Sequence, residues 1–120
     1  MNPENKNFII DMINRYPVSV VSYDDEIMFT ICLPDGRPLY ISSDITLTYE
    51  KNAVVVYSIG IGDEVLEYTM IDTANKLNDQ TARDIIELMR MCNTKIILQS
   101  ANLANSKFMI HKIDNQKIKN

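Results

Sequence analysis

The sequence predicts an α+β domain, an antiparallel meander sheet of five to eight strands covered by an N-terminal helix and a longer second helix. Three observations carry this. Apolar residues recur at steps of three and four in residues 8–16 and again in 74–92, as on one face of a helix. Between them, over residues 18–57, apolar and polar residues alternate with a period of two. Turn-forming residues interrupt that alternation at short intervals, which favours hairpins over crossovers. The chain has 120 residues, 46% hydrophobic and 23% charged, the composition of one ordinary globular domain. Residues 1–113 are expected to form it, with 114–120 as a flexible polar tail.

The first helix has its signals in order. Asn2 suits the N-cap, Pro3 the first helical position, and Glu4 complements the helix dipole. Phe8, Ile9, Met12 and Ile13 form an apolar stripe that Tyr16 extends, and Pro17 ends it. Val18 to Ser22 reads as a short strand, and Tyr23-Asp24-Asp25-Glu26 as a turn. Ile27, Phe29, Ile31 and Leu33 then mark the apolar face of a second strand. Pro34-Asp35-Gly36-Arg37 turns the chain, Leu39 and Ile41 continue on a return strand, and Ile45, Leu47 and Tyr49 alternate after it. Glu50-Lys51-Asn52 is a further turn. Ala53-Val54-Val55-Val56-Tyr57 is apolar on both sides, as in the middle of a sheet.

Beyond Gly60-Ile61-Gly62-Asp63, residues 64–71 fit two periods. Leu66, Tyr68 and Met70 alternate as a strand would, while Leu66, Met70, Thr73 and Leu77 line a helix face; the strand is preferred. Ala74, Leu77, Thr81, Ile85, Leu88 and Cys92 predict the long helix, ending near Asn93. Residues 95–98 and 108–113 read as two closing strands around a polar loop.

Chemistry-bearing patterns are few. Gly60-x-Gly62 lacks the third glycine and the lysine of a phosphate loop, and Asp63 and Glu64 would repel phosphate. Asp24-Asp25-Glu26 has neither the spacing nor the glycine of a calcium loop. The single histidine, His111, has no second histidine, serine or acid tied to it by a motif. Cys32 and Cys92 stand among apolar neighbours and are expected to be two buried thiols, with no zinc spacing around them. No catalytic residue, cofactor or metal is therefore expected, and the chain is expected not to be an enzyme. The longest apolar run is far shorter than the roughly 20 residues of a membrane helix. With no basic leader before an apolar stretch at residues 1–6, a cytoplasmic location is expected.

Charge is the remaining signal. Residues 1–72 hold twelve acids against four bases, net −8, and residues 73–120 hold four acids against eight bases, net +4. Such a division favours steered association with a protein partner. The expected partner-binding residues are Asp24, Asp25, Glu26, Asp63, Glu64 and Glu67 on the acidic side, and Lys107 and Lys112 on the basic side. The leading expectation is a protein-binding module (chaperone, adaptor, immunity protein or phage-type inhibitor), possible also as a homodimer pairing acidic with basic faces. One alternative is a regulator that binds or mimics nucleic acid. All the basic residues beyond Arg90 are lysines and the chain is acidic overall, which weighs against it. The other is an enzyme with a dispersed site. The lysines also suit edge strands, where they discourage aggregation.

Overall fold

The computed structural model describes residues 1–47 and 53–118, and for Lys76 and 106–118 the backbone alone. Helix α1 spans Pro3–Arg15, with the Asn2 side chain accepting from the Glu4 amide at 2.8 Å, as a cap should. The chain then runs through β1 (Ser19–Ser22), β2 (Glu26–Cys32), β3 (Pro38–Leu47), β4 (Ala53–Ile61) and β5 (Glu64–Asp72). These form one antiparallel sheet in the order β1-β2-β3-β4-β5, a plain meander. A short 3₁₀ turn at Thr73–Asn78 leads into helix α2, Gln80–Ile118. The α+β meander with a longer second helix is as the periodicities predict, with five strands among the described residues.

Several finer expectations are corrected. The runs around Leu39 and Ile45 belong to one ten-residue strand, β3. Residues 64–71 are a strand, but the helix after them starts only at Gln80, and Leu77 is exposed on the 3₁₀ turn instead of lining the stripe. Residues 95–98 and 108–113 are not closing strands: α2 passes through both without stopping at Asn93. Neither glycine nor proline follows Asn93 to end the helix, and tertiary contacts outweigh the β-branched character of 95–98. Lys95 Nζ donates to the Ile13 and Asn14 carbonyls at the end of α1, at 2.9 and 3.1 Å, where a cation complements both the helix dipole and the orphan carbonyls. One turn on, Gln99 clasps Val18, accepting from its N–H at 2.7 Å and donating to its carbonyl at 2.8 Å. The lysines expected on edge strands are thus helical. The turn at Glu50-Lys51-Asn52 and the strand extension to Tyr49 lie outside the described residues.

Both helices lie on one face of the sheet. Ile9 and Ile13 of α1, Ala82, Ile85, Leu88 and Cys92 of α2, and Phe29, Ile31, Leu39, Ile41, Val55, Tyr57 and Ile59 of the sheet make the core. Cys92 is fully buried, and burial pushes its thiol up to about 12. Cys32 is exposed, contrary to expectation, because alternation along β2 sends it to the face away from the helices. No described helix is long and apolar enough to cross a membrane.

The two helices run side by side and are tied by Asp84, a nearly buried carboxylate. It accepts from Lys6 Nζ at 3.2 Å and Gln80 Nε2 at 2.9 Å, with the Met1 amino group 3.5 Å away. Burial alone would raise this carboxyl; the Gln80 and Lys6 hydrogen bonds, with the nearby positive charges, outweigh it and hold the group below the ordinary range. A depressed folded value contributes stability that is present above the unfolded carboxyl pKa of about 3.9 and lost as pH falls through the folded one. Asp84→Asn is therefore expected to cost about 1–2 kcal/mol at pH 7 and to make the variant lose less stability than the parent between pH 5 and pH 2. Urea unfolding across that range checks it; an identical acid loss in both proteins would contradict the role given to Asp84.

Candidate functional site

The pleat that buries one side of the sheet exposes the other. Three registers of the ladder define this second face: Glu26–Asp44–Val56–Met70, Met28–Ser42–Ser58–Tyr68 and Thr30–Tyr40–Gly60–Val65. Val21 of β1 adds to the second of them. Among the described residues neither helix packs on this face, and its residues are absent from the core cluster. Val65, Tyr68 and Met70 are 56%, 53% and 55% exposed, and Val21 is 44% exposed. Between them Met28, Tyr40 and Val56 are half-buried by their neighbours alone.

An antiparallel sheet can face water on one side, but such faces are normally polar. Here apolar residues and small polar ones (Thr30, Ser42, Ser58) fill the centre, and no lysine or arginine occurs among the described residues of the face. The charges it does carry are acidic and gathered at one end. Glu26 and Asp44 stand directly opposite each other across β2 and β3, an arrangement of like charges that costs stability in isolation. Asp72 stands at the same end of β5, its carboxylate accepting from the Ala74 amide at 3.1 Å. The result is an apolar field with an acidic margin.

Local backbone chemistry shapes the field at the end away from the acids. A β-bulge falls between Ile59 and Gly60: Ile59 pairs with Glu67 and Gly60 with Val65, so Leu66 is the extra residue, turned toward the core. Gly60 has no side chain because the Tyr40 phenol ring lies in the space one would fill. The ring covers the glycine, in the manner of an aromatic protecting bare backbone. Gly62, at φ 58°, closes the tight β4–β5 turn in a conformation that glycine adopts without strain.

The residues expected to bind a partner are not brought together. Asp24 and Asp25 sit exposed in the β1–β2 turn, and Glu26 opens β2 on the bare face. Asp63 lies in the β4–β5 turn at the opposite end of the sheet and Glu64 opens β5 there; the register through Glu26 meets β5 at Met70, roughly 17–20 Å along the strand from Glu64. Glu67 faces the helices instead, accepting from the Asn2 amide at 3.1 Å and Asn5 Nδ2 at 3.2 Å, and so anchors the start of α1. Lys107 and Lys112 belong to α2, and their side chains lie outside the described residues. The apolar members Val21, Tyr40, Val56, Val65, Tyr68 and Met70 escaped the sequence reading. The signal for Val56 was present in the doubly apolar run 53–57, which reads as a buried strand.

A concavity of about 590 Å³ opens on the other side, between the sheet and α2, and is lined by Phe29, Ser43 and Tyr57 of the sheet and by Met89, Arg90 and Asn93 of α2. Its lining includes no carboxylate, thiol or imidazole, and burial raises the Tyr57 phenol, away from use as a base near neutral pH. Among the described residues no three His, Cys, Asp or Glu side chains gather as a metal would require. Set against models of known protein families, curated proteins and solved structures, the chain matches none of them.

Proposed function

We propose that this chain is a non-enzymatic protein-binding module of the chaperone, adaptor, immunity-protein or inhibitor kind, and that it receives a basic, apolar protein segment on the bare face of its sheet. One observation carries the reading: a face rich in Val, Met and Tyr, without lysine or arginine among its described residues and edged with acid, on the side away from the helices. Contiguous exposed apolar surface of this kind marks association sites, and tyrosine and methionine are favoured in the centres of interfaces. The acidic margin supplies complementarity to a positive partner and speeds the encounter. The same absence of bases argues against nucleic acid on this face, since phosphate contacts supply much of that affinity.

The test uses Tyr68→Lys and Met70→Lys, both at exposed positions where the fold should tolerate change within about 0.5 kcal/mol. Immobilised protein is presented to a cell extract, with Glu4→Lys on α1 as a control away from the face. Proteins held by the parent and by Glu4→Lys are expected to be lost from both face variants. Capture of the same proteins by all four would overturn the reading.

A further inference from the structure

Helix α2 is longer than the sheet it packs on. Gln99, clasping Val18, makes the last described hydrogen bond between α2 and the rest of the fold, and residues 101–105 are exposed, Leu103 at 57%. Residues 100–118 therefore continue past the β1 edge for roughly 28 Å at 1.5 Å per residue, consistent with a long molecular axis of 71 Å. Their sequence carries Leu103, Phe108, Met109, Ile110, Ile113 and Ile118, with Lys107, Lys112 and Lys117 against a single acid, Asp114. At 100° per residue Leu103, Met109, Ile110 and Ile113 fall within about 120° of one another, the stripe by which an amphipathic helix packs on a partner. Outside packing contacts, a helix of this length is marginal in water.

We propose that this overhang docks on the bare sheet face of a second copy of the chain. The inference rests on the reading of that face as a docking surface, and names what occupies it. Three features match. The overhang of roughly 28 Å spans the face, which is roughly 30 Å along the nine residues of β4 and roughly 20 Å across five strands. Its lysines meet the Glu26, Asp44 and Asp72 margin, where the like-charge opposition of Glu26 and Asp44 is relieved by a cation. Its apolar residues cover Val56, Val65, Tyr68 and Met70. The chain's own face is out of reach, because α2 leaves on the helix side of the sheet and a straight helix does not return to the opposite side. Pairing of two overhangs with each other would instead set lysines against lysines. Reciprocal docking makes a closed two-fold dimer in which each copy gives a helix and takes one.

Charge exchange tests this on the full chain. Glu26→Lys with Asp44→Lys makes the face basic; Lys107→Glu with Lys112→Glu makes the overhang acidic. By sedimentation velocity the parent is expected to form dimers that dissociate as salt rises. Each double variant alone is expected to associate at least about tenfold more weakly. An equimolar mixture of the two is expected to recover dimers, since each then offers the other an opposite charge, and recovery also shows that both variants are folded. A parent that stays monomeric at about 100 μM, far above the dissociation constant of an ordinary specific dimer, overturns the inference. So do variants that dimerise as the parent does, or a mixture that recovers nothing. If the inference falls while Tyr68→Lys still abolishes capture of other proteins, the docking face stands and its occupant is foreign. If Tyr68→Lys changes nothing either, both readings fall.

Discussion

Leu88→Ala is expected to remove about 2–5 kcal/mol of folding stability. Leu88 is fully buried, one turn from Ile85 and from Cys92, and this stripe holds α2 on the sheet. Truncation takes away the transfer free energy of the side chain and leaves a cavity in a core shared by the sheet and both helices, which is not free to collapse. A domain of this size has only about 5–15 kcal/mol of stability in total, so the urea midpoint should fall steeply. Leu98→Ala, on the same helix but 55% exposed, is expected to stay within about 0.5 kcal/mol. A small loss at Leu88 would mean that α2 does not pack as described.

Gly60→Ala comes next, at an expected cost of about 1–3 kcal/mol. In most strands this exchange is favourable, because glycine loses more chain entropy on folding than alanine. Here the new methyl group falls where the Tyr40 ring lies, and the backbone of β4 cannot yield without disturbing two ladders. The ring must lift off the face. The cost is therefore expected to vanish, and its sign to reverse, when Gly60→Ala is made in a Tyr40→Ser background. A double-mutant cycle by urea unfolding measures that coupling. Additive effects would show that the ring and the glycine are independent. Gly60→Ala should also weaken capture by the bare face, since a raised ring roughens the surface a partner must cover.

Much of the fold is written locally. Asn2, Pro3 and Pro17 delimit α1 by capping chemistry, and the alternation in 26–32 and the Pro34-Asp35-Gly36 turn place β2 and β3. These features depend on neighbours in sequence, and neighbours in sequence suffice to find them. The second half of α2 depends on distant partners. Nothing in the run 95–98 says that Lys95 will meet the carbonyl end of α1 or that Gln99 will hold Val18, so its β-branched residues point to a strand. The bulge at Gly60 is equally silent, because an inserted Leu66 keeps an alternating look on both sides.

The docking face was half legible. Val54 and Val56 are apolar where a solvated strand would be polar, and the natural inference from that is burial between layers. Only the placement of both helices on the opposite side shows that the second layer is missing. The acids were readable as a class, but their grouping was not. Glu26 gains Asp44 as a neighbour, Glu67 is given over to α1, and Asp63 and Glu64 go to the far end. Ion pairing also sharpens the charge division: Lys6, from the acidic half, is engaged by Asp84 and Glu87 from the basic half, at 3.2 and 2.8 Å.

The central claim is that the bare sheet face is where this protein meets another chain. Radical footprinting with mass spectrometry reads it directly, because Tyr68 and Met70 are reactive, exposed and on that face, while Tyr23, 68% exposed in the β1–β2 turn, serves as reference. Labelling is compared between dilute protein and protein in its assembled or partner-bound form. Tyr68 and Met70 are expected to lose most of their labelling on assembly while Tyr23 keeps most of its own. Equal labelling of Tyr68 and Met70 in both states, or protection confined to the groove around Met89 and Arg90, would contradict the account.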